Sequence, residues 1–144
     1  MKVLAHVMRN INEFNIPQGD SGYEILYFGV NLILMFEYRL SFDIEVKDSN
    51  DKIGAVIISR KDVSAWKAND NMKDMKIYYS KAGTRINDVF KPSVSDAYAF
   101  ILENRSSSIE GSKPKKVVVT LVHSWQQEVK ESQLKERSSS SFAQ

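Results

Sequence analysis

The side chains that could do chemistry in this sequence are few and widely separated. His6 and His123 are its two histidines, and it has no cysteine. A histidine can hold a metal together with nearby carboxylates. No His-x-x-His, Asp-x-Asp or Glu-x-x-His pairing accompanies either one. His123 ends an apolar, alternating run with Val117, Val119 and Leu121, so it reads as a core or rim residue. Asp43, Glu45, Asp48, Asn50 and Asp51 form an oxygen-rich run of the kind that binds calcium in loops. The glycine and distal glutamate of an EF-hand loop are missing. Asp43 and Glu45 also alternate with Phe42, Ile44 and Val46, which makes them the solvated face of a strand. The serine runs contain no Gly-x-Ser-x-Gly elbow to activate a nucleophile. No catalytic residue, metal ligand or cofactor is expected.

Two sets of basic residues could meet phosphates. Lys113, Lys115 and Lys116 follow Arg105, and Lys61, Lys67, Lys73 and Lys76 are interleaved with Trp66, Tyr78 and Tyr79. Aromatic rings among lysines can stack bases while the lysines neutralise the backbone. The overall balance of 20 basic against 18 acidic residues, a net charge of +2, argues against a nucleic-acid partner. The aromatic residues keep another use. Trp66, Tyr78, Tyr79 and Trp125 are candidate anchors for a protein partner. If Trp66, Tyr78 and Tyr79 were coplanar and exposed, they would instead make a carbohydrate or lipid platform.

Strands have to carry these residues. Residues 97–104 (AYAFILEN) and 116–125 (KVVVTLVHSW) are β-branched and aromatic with period-two alternation. They read as two central partner strands joined by the polar loop NRSSSIEGSKPK. Residues 3–16 read as an edge strand ended by Pro17 and a glycine-bearing turn. Residues 23–28 and 32–46 read as a hairpin or a bent pair joined at Gly29-Val-Asn31, with apolar 32–36 at the deeper end of the second strand. Residues 53–59, 75–80 and 85–90 are further strands. Between the first two, Asp62 is placed to cap a short helical turn near 62–69, with Trp66 folded back on the sheets. Residues 126–137 could form a short C-terminal helix, and the serine-rich end from 138, with almost no apolar residue to bury apart from Phe142, is expected to be disordered.

A 144-residue chain that is 42% apolar and 26% charged is one ordinary globular domain. The expected organisation is a β-sandwich over 1–125 and a polar tail over 126–144. About seven or eight short strands with turns between them predict an all-β antiparallel sandwich or jelly roll. The N-terminus lacks a signal-peptide pattern, and the apolar run near 25–36 is shorter than the ~20 residues of a membrane helix. With no cysteine to oxidise, a cytoplasmic location is expected.

From residue 53 onward the order of features is similar to that of the small GOLD-like β-sandwich domains. The resemblance is carried by Trp66, Tyr98, Phe100, Leu102, Asn104 and residues 116–125, and spans about 14–125. It implies a sandwich fold and a role in protein interaction. The disulfide cysteines, signal peptide and membrane helix of the trafficking members are absent here, so cargo transport is not implied. The function expected is a non-catalytic module that binds a protein partner or joins an assembly through a strand edge or loop rim. The alternative is the carbohydrate- or lipid-binding sandwich.

Overall fold

The computed structural model describes residues 2–47, 50–68, 75–105 and 113–129. Its strands are β1 (Lys2–Ile16), β2 (Tyr23–Val30), β3 (Phe36–Lys47), β4 (Ile53–Ser59), β5 (Ile77–Gly83), β6 (Arg85–Phe90), β7 (Asp96–Glu103) and β8 (Lys115–Val129). A 3-10 turn over Arg60–Asp62 leads into one short helix, α1 (Val63–Ala68). The strands form two antiparallel four-stranded sheets, ordered β1-β8-β3-β6 and β2-β7-β4-β5. Strand 1 therefore pairs with 8, 2 with 7, 3 with 6 and 4 with 5. The chain is folded in half as one long ribbon and rolled so that successive ribbon segments fall in alternate sheets. This is jelly-roll topology, the all-β sandwich expected from the strand pattern.

Two expected pairings are corrected by this roll. Residues 97–104 and 116–125 do not pair with one another: β7 and β8 lie at the centres of opposite sheets. Residues 23–28 and 32–46 are likewise no hairpin, because β2 pairs with β7 while β3 pairs with β6 and β8. Alternation tells which face of a strand is buried, but it does not say which neighbour supplies the hydrogen bonds. Residues 32–34 are a turn rather than a deep strand end, and Ile33 is 86% exposed. The strand expected over 75–80 runs Ile77–Gly83, and Met75 precedes it as a buried plug. The C-terminal helix is also corrected where it can be seen. Gln126 to Val129 continue β8, held in register against Lys2 to Ala5 of β1. The remainder of that segment, and the serine-rich tail, lie outside the described residues.

Between the sheets, inward residues alternate as the sequence implies: Phe42 and Ile44, Ile53 and Ile57, Phe100 and Leu102, Val117 and Val119. The second sheet is buried on its outer side as well. Val56, Ile58, Ala99 and Ile101 pack there under Val63 and Trp66 of α1 and under Met75. Covering both faces explains why β4 (IGAVIIS) is buried throughout and apolar up to Ser59, whereas β3 alternates. Asn104, just past β7, staples the base of the sandwich. Its amide donates to the carbonyls of Lys113 at 2.9 Å, Pro17 at 3.2 Å and Ile16 at 3.4 Å.

Candidate functional site

The residues singled out for chemistry are dispersed over both sheets. Tyr38 and His123 do meet inside the sandwich, the Tyr38 hydroxyl hydrogen-bonding to His123 Nδ1. An extra residue in β3 between the Phe36 and Arg39 pairings makes the meeting possible, with Glu37 in the left-handed region at φ 55°. Burial pushes the Tyr38 hydroxyl well above its ordinary pKa and holds the His123 imidazole below its own. Both groups are therefore neutral near pH 7, and the pair is a hydrogen bond between neutral partners. Phe28 packs edge-on to His123 at 5.6 Å and flat on Tyr98 at 5.4 Å. Trp125 stacks on Tyr38 at 6.3 Å and on His6 at 5.1 Å. This is an aromatic ladder within the core, with no carboxylate in hydrogen-bond contact with His123 among the described residues.

The four aromatic candidates separate in the same way. Trp66 is only 2% exposed, on the face of α1 that packs against the outer side of the second sheet. Arg105 lies 3.6 Å over its ring and donates to the Trp66 and Lys67 carbonyls at 2.5 and 3.0 Å, closing the helix C-terminus. Tyr78 and Tyr79 are half-buried on the inner side of that sheet. Tyr78 packs edge-on against Tyr98 and Phe90, and Tyr79 against Phe42. Adjacent strand residues normally point to opposite faces. Here the β4–β5 register slips by one residue between Ile57 and Ile58, and this bulge turns both rings inward. Trp66, Tyr78 and Tyr79 thus share no exposed face. Trp125 is half-buried in the ladder.

The charged candidates are engaged locally. Asp43 accepts a two-point contact from Arg85 at 3.2 and 3.3 Å, and Glu45 pairs with Lys47 at 3.5 Å. Asp48 and Lys73 lie outside the described residues. Lys116 pairs with Glu13 at 3.3 Å, and the buried Lys115 ammonium donates to the Lys52 carbonyl at 2.5 Å. Burial lowers the Lys115 pKa. Among the described residues no group of three His, Asp or Glu side chains could hold a metal ion.

What the structure leaves open to a partner is an edge, β1. It pairs with β8 along all of Lys2–Ile16 without a register shift, and no strand of the described residues lies beside its other edge. Its even-numbered residues face inward, since His6 opposes Trp125 and Ile16 is buried. Its odd-numbered residues form the outer face, where Val3, Val7 and Ile11 are 45%, 68% and 60% exposed. Met8, on the inward side, is exposed too. Residues 3–16 lie at a sheet edge, as the sequence reading expects. The apolar side chains at 3, 7 and 11, on one face and four residues apart, are the signal in the sequence that this edge is sticky.

No family model matches this sequence and no curated protein matches it, so the GOLD-like resemblance rests on the residues quoted for it. Among solved structures, the chain is similar to one from Bacillus endospore appendages, which form disulfide-linked pili. The TM-score is 0.55 at 5% identity, over 89% of this chain and 93% of that one. A chain of desmodium yellow mottle tymovirus superposes with a TM-score of 0.35 at 6% identity, over 90% of each. A chain of tomato aspermy virus gives 0.33 at 14% identity, over 87% of this chain and 79% of that one. The appendage chain shares the fold. The two viral chains superpose too loosely to add to that. No helix among the described residues is long and apolar enough to cross a membrane.

Proposed function

We propose that this chain is a non-catalytic jelly-roll module that associates with further copies of itself through the open edge of β1. One observation carries the reading: residues 3–16 of β1 are paired on one side only among the described residues, with apolar side chains exposed along them. Natural sheets blunt such edges with short strands, bulges, prolines or charges. The other three edges have these features. β6 is six residues long with charged Arg85 and Asp88, β5 has a bulge and Lys81, and β2 is eight residues long with Arg60 folded over Tyr27 at 4.6 Å. β1 has neither proline nor bulge; of its charges, Glu13 is already paired with Lys116, and Arg9 is exposed between Val7 and Ile11. Strand addition at an open edge supplies main-chain hydrogen bonds for affinity and alternate side chains for specificity.

The appendage chain belongs to an assembly, which accords with this reading. Its disulfide linkage has no counterpart in these 144 cysteine-free residues, so association here is non-covalent. Light scattering on purified protein tests the idea. A mass of at least twice the 16.5 kDa of one chain is expected, reduced to that of one chain by Val7→Lys. Val7 is exposed, so the variant stays folded and keeps the parent's far-UV circular dichroism spectrum. A parent that stays monomeric at every concentration up to the millimolar range refutes the proposal.

A further inference from the structure

Resting on that self-association, we infer that two copies pair β1 against β1 antiparallel about a two-fold axis through Val7, joining their β1-β8-β3-β6 sheets into one continuous sheet. An antiparallel pair related by two-fold symmetry keeps each face on its own side, so odd residues must oppose odd residues. That leaves a short series of registers, each defined by the residue on the axis, and the side chains choose among them.

With Val7 on the axis, Val7 opposes Val7 and Val3 opposes Ile11 twice, so the three exposed apolar residues of the outer face are all matched. On the inward face Met8 opposes His6, and Arg9 meets only Ala5. Centring on Met8 sets Val3 against Glu13 and Val7 against Arg9. Centring on Arg9 sets two guanidinium groups face to face, and like charges directly opposite are destabilising. Centring on Ile11 matches Arg9 to Glu13, but Glu13 is already held by Lys116 at 3.3 Å, and Val3 is left beyond the paired stretch. The Val7 register is the one that leaves no exposed apolar residue of the outer edge unmatched and brings no like charges together. Because the patch is complementary to itself, the assembly closes as a dimer rather than growing.

The absence of cysteine from the sequence allows one nitroxide label per chain. Labels on Val3→Cys, Val7→Cys and Ile11→Cys, read by pulsed dipolar spectroscopy beside light scattering, test the register. Residue 3 of one copy lies opposite residue 11 of the other. At ~3.4 Å per residue, the 3-to-3 and 11-to-11 separations are then equal, at ~27 Å, and the label at 7 is in close dipolar contact. If the label at 7 loosens the dimer, the equal pair at 3 and 11 still decides. Centring on Ile11 predicts ~54 Å at position 3 and close contact at 11. That pattern overturns the register while leaving self-association intact, as does a dimer whose three labels show no coupling because another edge joins it. A protein that is monomeric by light scattering overturns the proposed function itself.

Discussion

Asn104→Asp should destabilise the fold more than Asn104→Ala, although aspartate is the closer match in shape. Asn104 is buried, and its side-chain N–H groups face the carbonyls of Lys113, Pro17 and Ile16. Its backbone N–H donates to the Gly22 carbonyl at 2.6 Å, so the residue joins the end of β1, the β1–β2 turn and the start of β8. An amide nitrogen has two hydrogens, and each bond is worth about 1 kcal/mol net. Alanine removes both bonds and leaves buried carbonyls poorly satisfied, a loss of about 2–3 kcal/mol. Aspartate also removes the donors and places a carboxylate among three carbonyl oxygens, which adds the penalty of an unpaired buried charge. For a chain of this length about 1 kcal/mol lowers Tm by about 3–4 °C, so the alanine variant should melt roughly 6–12 °C below the parent. Urea unfolding at pH 7, followed by circular dichroism, separates the variants by their midpoints at constant slope. An aspartate variant as stable as the alanine variant, or either as stable as the parent, would refute this account of the staple.

Three further outcomes are expected. Phe100→Ala, on the central strand β7 and edge-on to Phe42 at 5.2 Å, should lose about 3–5 kcal/mol; a thermal melt matching the parent would show that this side chain does not hold the two sheets together. Gly22→Ala places a Cβ 2.4 Å from the Pro17 carbonyl oxygen and 2.9 Å from that of Gly19, so the turn must shift, at about 1–3 kcal/mol; unchanged stability would contradict that crowding. Burial holds His123 neutral in the folded state, so the unfolded chain takes up the proton first as pH falls. This contribution is complete above pH ~6.5 and is lost as pH drops through the lowered folded value. Urea midpoints should decline from about pH 7.5 to 5, and less steeply in His123→Gln; equally steep profiles would assign the decline to other groups.

Local patterns along the chain determined the fold class, most strand positions, the helical turn beside Trp66, and which face of residues 117–121 is buried. These depend on period-two alternation, turn residues and side-chain size, all of which act within a few neighbours. The tertiary structure decided which strands are neighbours. Residues 97–104 and 116–125 have equal claims to pair by composition, and only the rolled ribbon sends them to opposite sheets. It also decided the fate of the candidate anchors. A one-residue bulge turned both Tyr78 and Tyr79 inward, and a six-residue helix buried Trp66 against a second core layer. The open edge of β1 came from the same source. A strand is an edge only because no other segment lies beside it, and that is a property of the whole arrangement rather than of the residues in the strand.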